Sequence, residues 1–340
     1  MSRRRFFQAF TAIVVTVCLL AICGVVSAQG NSDNAFERVK EVQERNTAKL
    51  MAKDGVVGTA VGLNEQGRHT ILILLDRAGL GGIPNELEGV PVQPIVTGKI
   101  EALPKGKPGG STLSPTARWP RPVPIGVSTG NEGECSAGTI GCRVSKGGGV
   151  YALSNNHVYA LENNASAGSR VLQPGRYDVG CAIKVADVIG TLAAFQTITF
   201  STSASNTIDA AIALSSTADL GNATPSNGYG TPSSTTVQAA LNMAVQKYGR
   251  TTSLTKGTIT GINATVNVGY SAGTARFVNQ IVVQSRGAFI KAGDSGSLLV
   301  TNPGRDPVGL LFAGNSSGTY AVANQIADVL AAFGVTVDGE

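Results

Sequence analysis

Between Trp119 and Glu340, short runs rich in Val, Ile, Thr and Ala return repeatedly between turns. They lie at 139–144, 150–154, 208–214, 257–268, 280–284, 297–301 and 308–313. Strands at such spacing hide their apolar faces by closing into barrels or pairing as sandwiches. The 43 glycines and 5% aromatic content point the same way, toward many turns and short strands. The expected fold of this part is mainly β, with one helix near the end. Ile326, Val329, Leu330 and Phe333 fall at i, i+3, i+4 and i+7 after Asn324, and Gly334 stops the run.

Charge divides the chain. Residues 29–118 carry 21 charged side chains in 90 positions, whereas 119–340 carry 25 in 222. At the junction, Pro104-Lys105-Gly106-Lys107-Pro108-Gly109-Gly110-Ser111 cannot hold a regular ladder, so 104–118 reads as a linker. Residues 29–103 then form a small α+β unit. Asn34 is suited to cap a helix reaching about Lys53, with Phe36, Val39, Val42 and Leu50 on one face. Runs at 55–62, 69–76 and 90–100 are expected as its strands. Nothing in the unit suggests chemistry, and His69, at a strand border with no clustered partner, reads as a solvated histidine.

Residues 1–28 read as an export signal. Arg3-Arg4-Arg5 precedes an uncharged stretch from Phe6 to Ala28, which ends in the small-x-small site Val26-Ser27-Ala28. The same order resembles a twin-arginine signal. The expected location is extracellular or periplasmic, with no stable membrane association once the signal is cleaved. The net charge is +5, and Arg3, Arg4 and Arg5 supply three of those units. What remains is too small to argue for nucleic acid as a partner. After signal removal Cys135, Cys142 and Cys181 are left, so at most one internal bridge forms. With two histidines in the chain and no Cys-x-x-Cys pair, neither a zinc site nor any other metal or cofactor is expected.

Three short segments carry the chemistry. In Gly293-Asp294-Ser295-Gly296-Ser297, glycines flank a serine directly before an apolar run. Such a turn leaves the hydroxyl reachable and lets the Gly293 and Ser295 amides converge as an oxyanion hole. A serine needs a base within hydrogen-bond reach. The large domain has one histidine, His157, placed just after the run 150–154 in the manner of an active-site loop. Asp209 opens the apolar run Ala210-Ala211-Ile212-Ala213-Leu214, where a carboxylate needs a partner, and orienting an imidazole would supply one. Asp178, Asp187 and Asp219 compete for this role from settings that look like turns.

His157, Asp209 and Ser295 stand in the chain order of the chymotrypsin-like (trypsin-like) serine peptidases, 52 and 86 residues apart. Their contexts, Asn-Asn-His-Val, Asp-Ala-Ala-Ile-Ala-Leu and Gly-Asp-Ser-Gly, resemble that family. Cys135-Ser136-Ala137-Gly138 and Lys247-Tyr248-Gly249-Arg250-Thr251-Thr252 are similar to segments of its secreted bacterial branch, which includes α-lytic protease. The resemblance covers most of 119–340 and none of 29–118. It implies two six-stranded β-barrels with the triad between them, a Ser-His-Asp endopeptidase, and a protein or peptide substrate. It also implies that 29–103 is a propeptide or an attached accessory domain that binds the peptidase domain intramolecularly, with Arg118 and Arg121 as candidate processing sites. By the same resemblance the specificity pocket begins at Phe289 and Ile290, and an apolar or small side chain is preferred there. Ala313-Gly314 stands where a Ser-x-Gly stretch usually supports the aspartate and holds the substrate backbone. The family's Thr-Ala-Ala is replaced by Ser154-Asn155-Asn156, and Val158 stands where many members have cysteine. Cys142 therefore lacks its usual neighbour and is left to pair with Cys181 or Cys135. The competing reading is a catalytically inactive peptidase-like binding or surface protein.

Overall fold

The computed structural model describes residues 34–102 and 114–340. The stretch 1–28 expected as an export signal and most of the expected linker 104–118 lie outside the described residues.

The first helix, α1, spans 34–51. Its Val39, Val42, Leu50 and Met51 are buried against Val61, Ile71, Ile73 and Leu75. These belong to an antiparallel pair, β1 (Val56–Leu63) and β2 (His69–Leu75). A short strand, β3 (Glu86–Leu87), precedes β4 (Val90–Val96), which runs parallel to β2. The expected third strand stops at Val96 because the Thr97 and Gly98 amides both turn back to the Leu75 carbonyl. His69 is half-buried rather than solvated, edge-on to Phe36 with ring centres 5.7 Å apart, and burial lowers its pKa. A two-residue strand, β5 (Glu101–Ala102), ends the unit.

The first barrel contains β6 (Ser128–Asn131), β7 (Gly138–Thr139), β8 (Cys142–Lys146) and β9 (Gly149–Ser154). The short helix α2 (Asn156–Tyr159) follows, then β10 (Arg170–Leu172), β11 (Val188–Phe195) and β12 (Ala211–Ser215). The run expected as one strand at 139–144 is divided. Its first half pairs with β6, its second with β9, and Gly141 sits at the bend. A Cβ there would lie 2.4 Å from the Gly296 carbonyl oxygen, so only glycine fits. Counting β7 and β8 as one bent stave, the ring through β6, β7/β8, β9, β12, β11 and β10 closes with six. Closure leaves no long open edge.

The second barrel is built from β13 (Ala244–Gly249), β14 (Ser253–Tyr270), β15 (Gly273–Gln284), β16 (Leu298–Thr301), β17 (Pro307–Gly314) and β18 (Tyr320–Gln325). The order β13-β16-β17-β18-β15-β14 is closed by pairing of β14 with β13, so this ring also has six staves. Val245, Ile259, Ile281, Leu299 and Leu311 fill it. The helix α3 (Ile326–Phe333) then returns to the first barrel, burying Ile326, Val329 and Phe333 in that core. After it, β19 (Thr336–Val337) pairs with β8. The C-terminus thus fastens the two barrels together.

The β14–β15 hairpin extends beyond its barrel, and its outer part receives the N-terminal unit. Gly58, Thr59 and Val61 of β1 pair with Val266, Thr265 and Ile262 of β14. Ala60, Leu72, Leu74, Ile100 and Ala102 share an apolar cluster with Val266, Val268, Phe277 and Phe312. The structure therefore makes one continuous sheet of the N-terminal unit and the second barrel.

Cys135 and Cys181 form the disulfide, with Cα atoms 5.1 Å apart, and Cys142 is free and buried. Burial pushes the Cys142 thiol up to about 12. Because the thiolate is the reactive form, Cys142 is expected to resist a thiol reagent at pH 8 in the native protein and to react once unfolded. Mass spectrometry of the labelled protein checks this. Rapid native labelling would contradict the burial.

Candidate active site

The strand register brings His157 and Asp209 together. In the antiparallel pair β9–β12, Ser154 lies opposite Ala211, so the chain leaving β9 and the chain entering β12 meet at one end. His157, three residues beyond Ser154, then faces Asp209, two residues before Ala211. His157 Nδ1 and Asp209 Oδ2 are 2.6 Å apart, and the His157 amide donates to Oδ1 at 3.2 Å. An ionised carboxylate only accepts, so Nδ1 is the donor and the imidazole is held in the tautomer that leaves Nε2 open to take a proton. Asp209 is fully buried and His157 is 3% exposed. Asn155 Nδ2 donates to the Asp209 carbonyl at 2.7 Å, and the Asp209 amide donates to Asn324 Oδ1 at 3.0 Å. Tyr270 adds a hydroxyl donor to Oδ2 at 2.8 Å. Groups from both barrels thus fix one carboxylate.

Ser295 sits on a turn whose backbone demands glycine on both sides. Gly293 has φ +98° and Gly296 φ +93°, in the region that side chains other than hydrogen avoid. Thr139 ties this turn to the first barrel: its hydroxyl donates to the Gly293 carbonyl and its amide to the Ser295 carbonyl, both at 2.8 Å. Within the turn, Asp294 is a fully buried anchor. Its carboxylate accepts the amides of Thr251 and Lys291 at 2.8 Å, the amide of Thr252 at 3.1 Å and the Thr252 hydroxyl at 2.7 Å. The buried Lys247 ammonium lies 3.7 Å away.

Gly138 lies between the Ser295 turn and Val158, the residue after His157. A Cβ on Gly138 would touch the Ser295 carbonyl at 3.1 Å and both Val158 methyls within 2.7 Å, so Gly138 separates the turn from the residue after His157 by one residue's width. His157 Nε2 is buried without a hydrogen-bond partner. Ser295 Oγ donates to the Phe312 carbonyl at 3.3 Å. No hydrogen bond joins Ser295 Oγ to His157 Nε2 in this structure.

The competing carboxylates are engaged elsewhere. Asp178 pairs with Arg250, Asp187 with Arg118, and Asp219 with Arg121. Arg118 and Arg121, read from sequence as processing sites, thus both bind carboxylates of the first barrel. Phe289 and Ile290 are fully buried in the second-barrel core. Ala313 and Gly314 lie at the end of β17, where they pair antiparallel with Ala102 and Glu101 of β5. Among the described residues no three His, Cys, Asp or Glu side chains cluster to hold a metal.

Sequence reasoning gave no site role to Tyr270, Asn324 or Asn155, noting Asn324 only before the last helix, Asn155 only as a departure from the family's pattern and Lys247 only as part of a matching segment. Tyr270 and Asn324 reach the site from strands 61 and 115 residues beyond Asp209. Nothing local to either distinguishes it from an ordinary strand residue.

No protein-family model and no curated protein matches the sequence. Solved structures do match. A glutamic acid specific serine protease is 24% identical, with a TM-score of 0.44, over 63% of this chain and 100% of its own. Protease A of Thermobifida fusca is 21% identical, with a TM-score of 0.47, over 64% of this chain and 100% of its own. The chymotrypsin of Cellulomonas bogoriensis is 22% identical, with a TM-score of 0.44, over 64% of this chain and 99% of its own. The class to which this chain is similar in structure is that of the chymotrypsin-like serine proteases.

Proposed function

We propose that the protein is an exported serine endopeptidase that cleaves peptide bonds through Ser295, His157 and Asp209. The observation that carries this reading is the buried His157–Asp209 pair, with Nε2 left without a partner beside the Gly293–Ser297 turn. His157 takes the Ser295 proton as Oγ attacks the peptide carbonyl, and returns it to the leaving amine. Asp209 holds the imidazole and balances the imidazolium. The Gly293 and Ser295 amides stabilise the oxyanion, and water then releases the acyl group. The Cys135–Cys181 disulfide agrees with an oxidising compartment and hence with export.

In this reading the N-terminal unit is an inhibitory propeptide. Glu101 and Ala102 lie antiparallel to Ala313 and Gly314, the β17 edge that would receive an extended substrate. The chain's own segment thus occupies the substrate's place until it is cut.

One experiment tests both parts. The wild-type chain, expressed with export, is expected to yield a species near the size of the large domain that reacts with a fluorophosphonate probe. Ser295→Ala is expected to stay full length and unlabelled. A folded wild-type protein that never labels would favour the inactive binding-module reading. Labelling of the uncleaved precursor at full rate would count against inhibition by the N-terminal unit.

A further inference from the structure

We propose that Tyr270 is a positioning residue for the His157–Asp209 pair, a phenol delivered from the second barrel to the carboxylate oxygen that faces the imidazole. The proposal rests on the peptidase reading above. Asp209 Oδ2 has two donors, His157 Nδ1 at 2.6 Å and Tyr270 Oη at 2.8 Å, while Oδ1 takes the His157 amide. The nearby end of β17, Phe312-Ala313-Gly314, carries no side-chain donor at all. Of the donors among the described residues that reach the carboxylate, only the Tyr270 hydroxyl comes from outside His157 itself.

Its place is fixed from two sides. Tyr270 is the last residue of β14, at the tip of the long hairpin. That tip is clasped by Glu162, which follows α2 in the first barrel. The Glu162 carboxylate accepts the Ser271 amide at 3.1 Å, the Ser271 hydroxyl at 2.8 Å and the Ala272 amide at 2.7 Å. The ring packs edge-on to His157 and to Phe200, with centres 5.9 and 5.6 Å away. Burial, and then the adjacent Asp209 and Glu162 carboxylates, push the phenol well above its ordinary value, so it stays a donor at neutral pH. A hydrogen bond to a charged acceptor in such a setting restrains the carboxylate against rotation and shares its charge with the imidazole.

Tyr270→Phe removes the hydroxyl and keeps the ring. It is expected to lower kcat on a peptide substrate about tenfold with KM unchanged. The low-field proton NMR signal of the His157–Asp209 hydrogen bond, read without substrate, is expected to move as the carboxylate charge concentrates on Nδ1–H. A purely structural tyrosine would leave both the kcat of the folded variant and this signal where they are in the parent protein, and that result overturns the proposal. An inactive parent protein would count against the peptidase reading, and the NMR comparison would still decide the role of Tyr270.

Discussion

Asp209→Asn is expected to cost about 10⁴-fold in kcat, a barrier increase of about 5.4 kcal/mol, with KM little changed. The replacement has the same shape, so the backbone bonds from Asp209 to Asn155 and Asn324 persist and the protein folds. What changes is the proton map. Asparagine presents an amide whose N–H₂ can face Nδ1, which turns the imidazole into the tautomer protonated at Nε2. That nitrogen then cannot accept the Ser295 proton. The asparagine also brings no negative charge to balance an imidazolium in a fully buried site. Steady-state kinetics on a peptide ester or amide, with circular dichroism to verify folding, measure the effect. A loss smaller than about tenfold would mean that the His157–Asp209 contact is an ordinary buried polar pair.

The second large effect is expected at the anchor beneath the serine turn. Lys247→Met leaves the Asp294 carboxylate buried without its cation, and breaking such a pair costs about 3–5 kcal/mol. Methionine fills most of the lysine's volume, so the cost reflects charge rather than a cavity. Asp294 ties the Thr251, Thr252 and Lys291 amides to the turn that carries Ser295, so activity is expected to fall with stability. The pH dependence has a definite sign. Burial lowers the Lys247 pKa from 10.5, against the opposing pull of Asp294. Between the folded value and 10.5 the unfolded chain binds more protons, so the desolvation penalty on the buried ammonium is relieved as pH rises through that window. Loss of the ammonium nevertheless strips Asp294 of its counterion. As pH rises, activity is therefore expected to begin to fall before pH 10.5 is reached. Urea unfolding of Lys247→Met and an alkaline kcat/KM profile of the wild type check the two parts. A stability change under about 1 kcal/mol would show that the Thr251, Thr252 and Lys291 donors suffice without the lysine.

The residues proposed for catalysis each sit in a local pattern that backbone geometry explains. Gly293 and Gly296 announce the turn around Ser295, and both adopt positive φ. The strands that read clearly were those with β-branched, apolar runs, such as β9, β14 and β17. Eight were not anticipated: β3, β5, β6, β10, β11, β13, β18 and β19. In β13 the reason is visible, because Lys247 is buried there beside Tyr248, and a lysine in a short run argues against a core strand until its partner Asp294 is known. The single run at 139–144 was divided because Gly141 bends against Gly296, a contact made with a residue 155 positions away. The burial of Phe289 and Ile290 also followed from packing that no local spacing records.

By itself the sequence determined the β-rich architecture, the terminal helix and the three residue types proposed for catalysis, because periodicity, turn chemistry and side-chain reactivity are local properties. The tertiary structure alone decided which cysteines join, which side chains steady the aspartate and what lies along the β17 edge. Those outcomes depend on strand register and barrel closure, which bring together groups separated by up to about two hundred residues, and only the summed burial of the whole fold selects that arrangement.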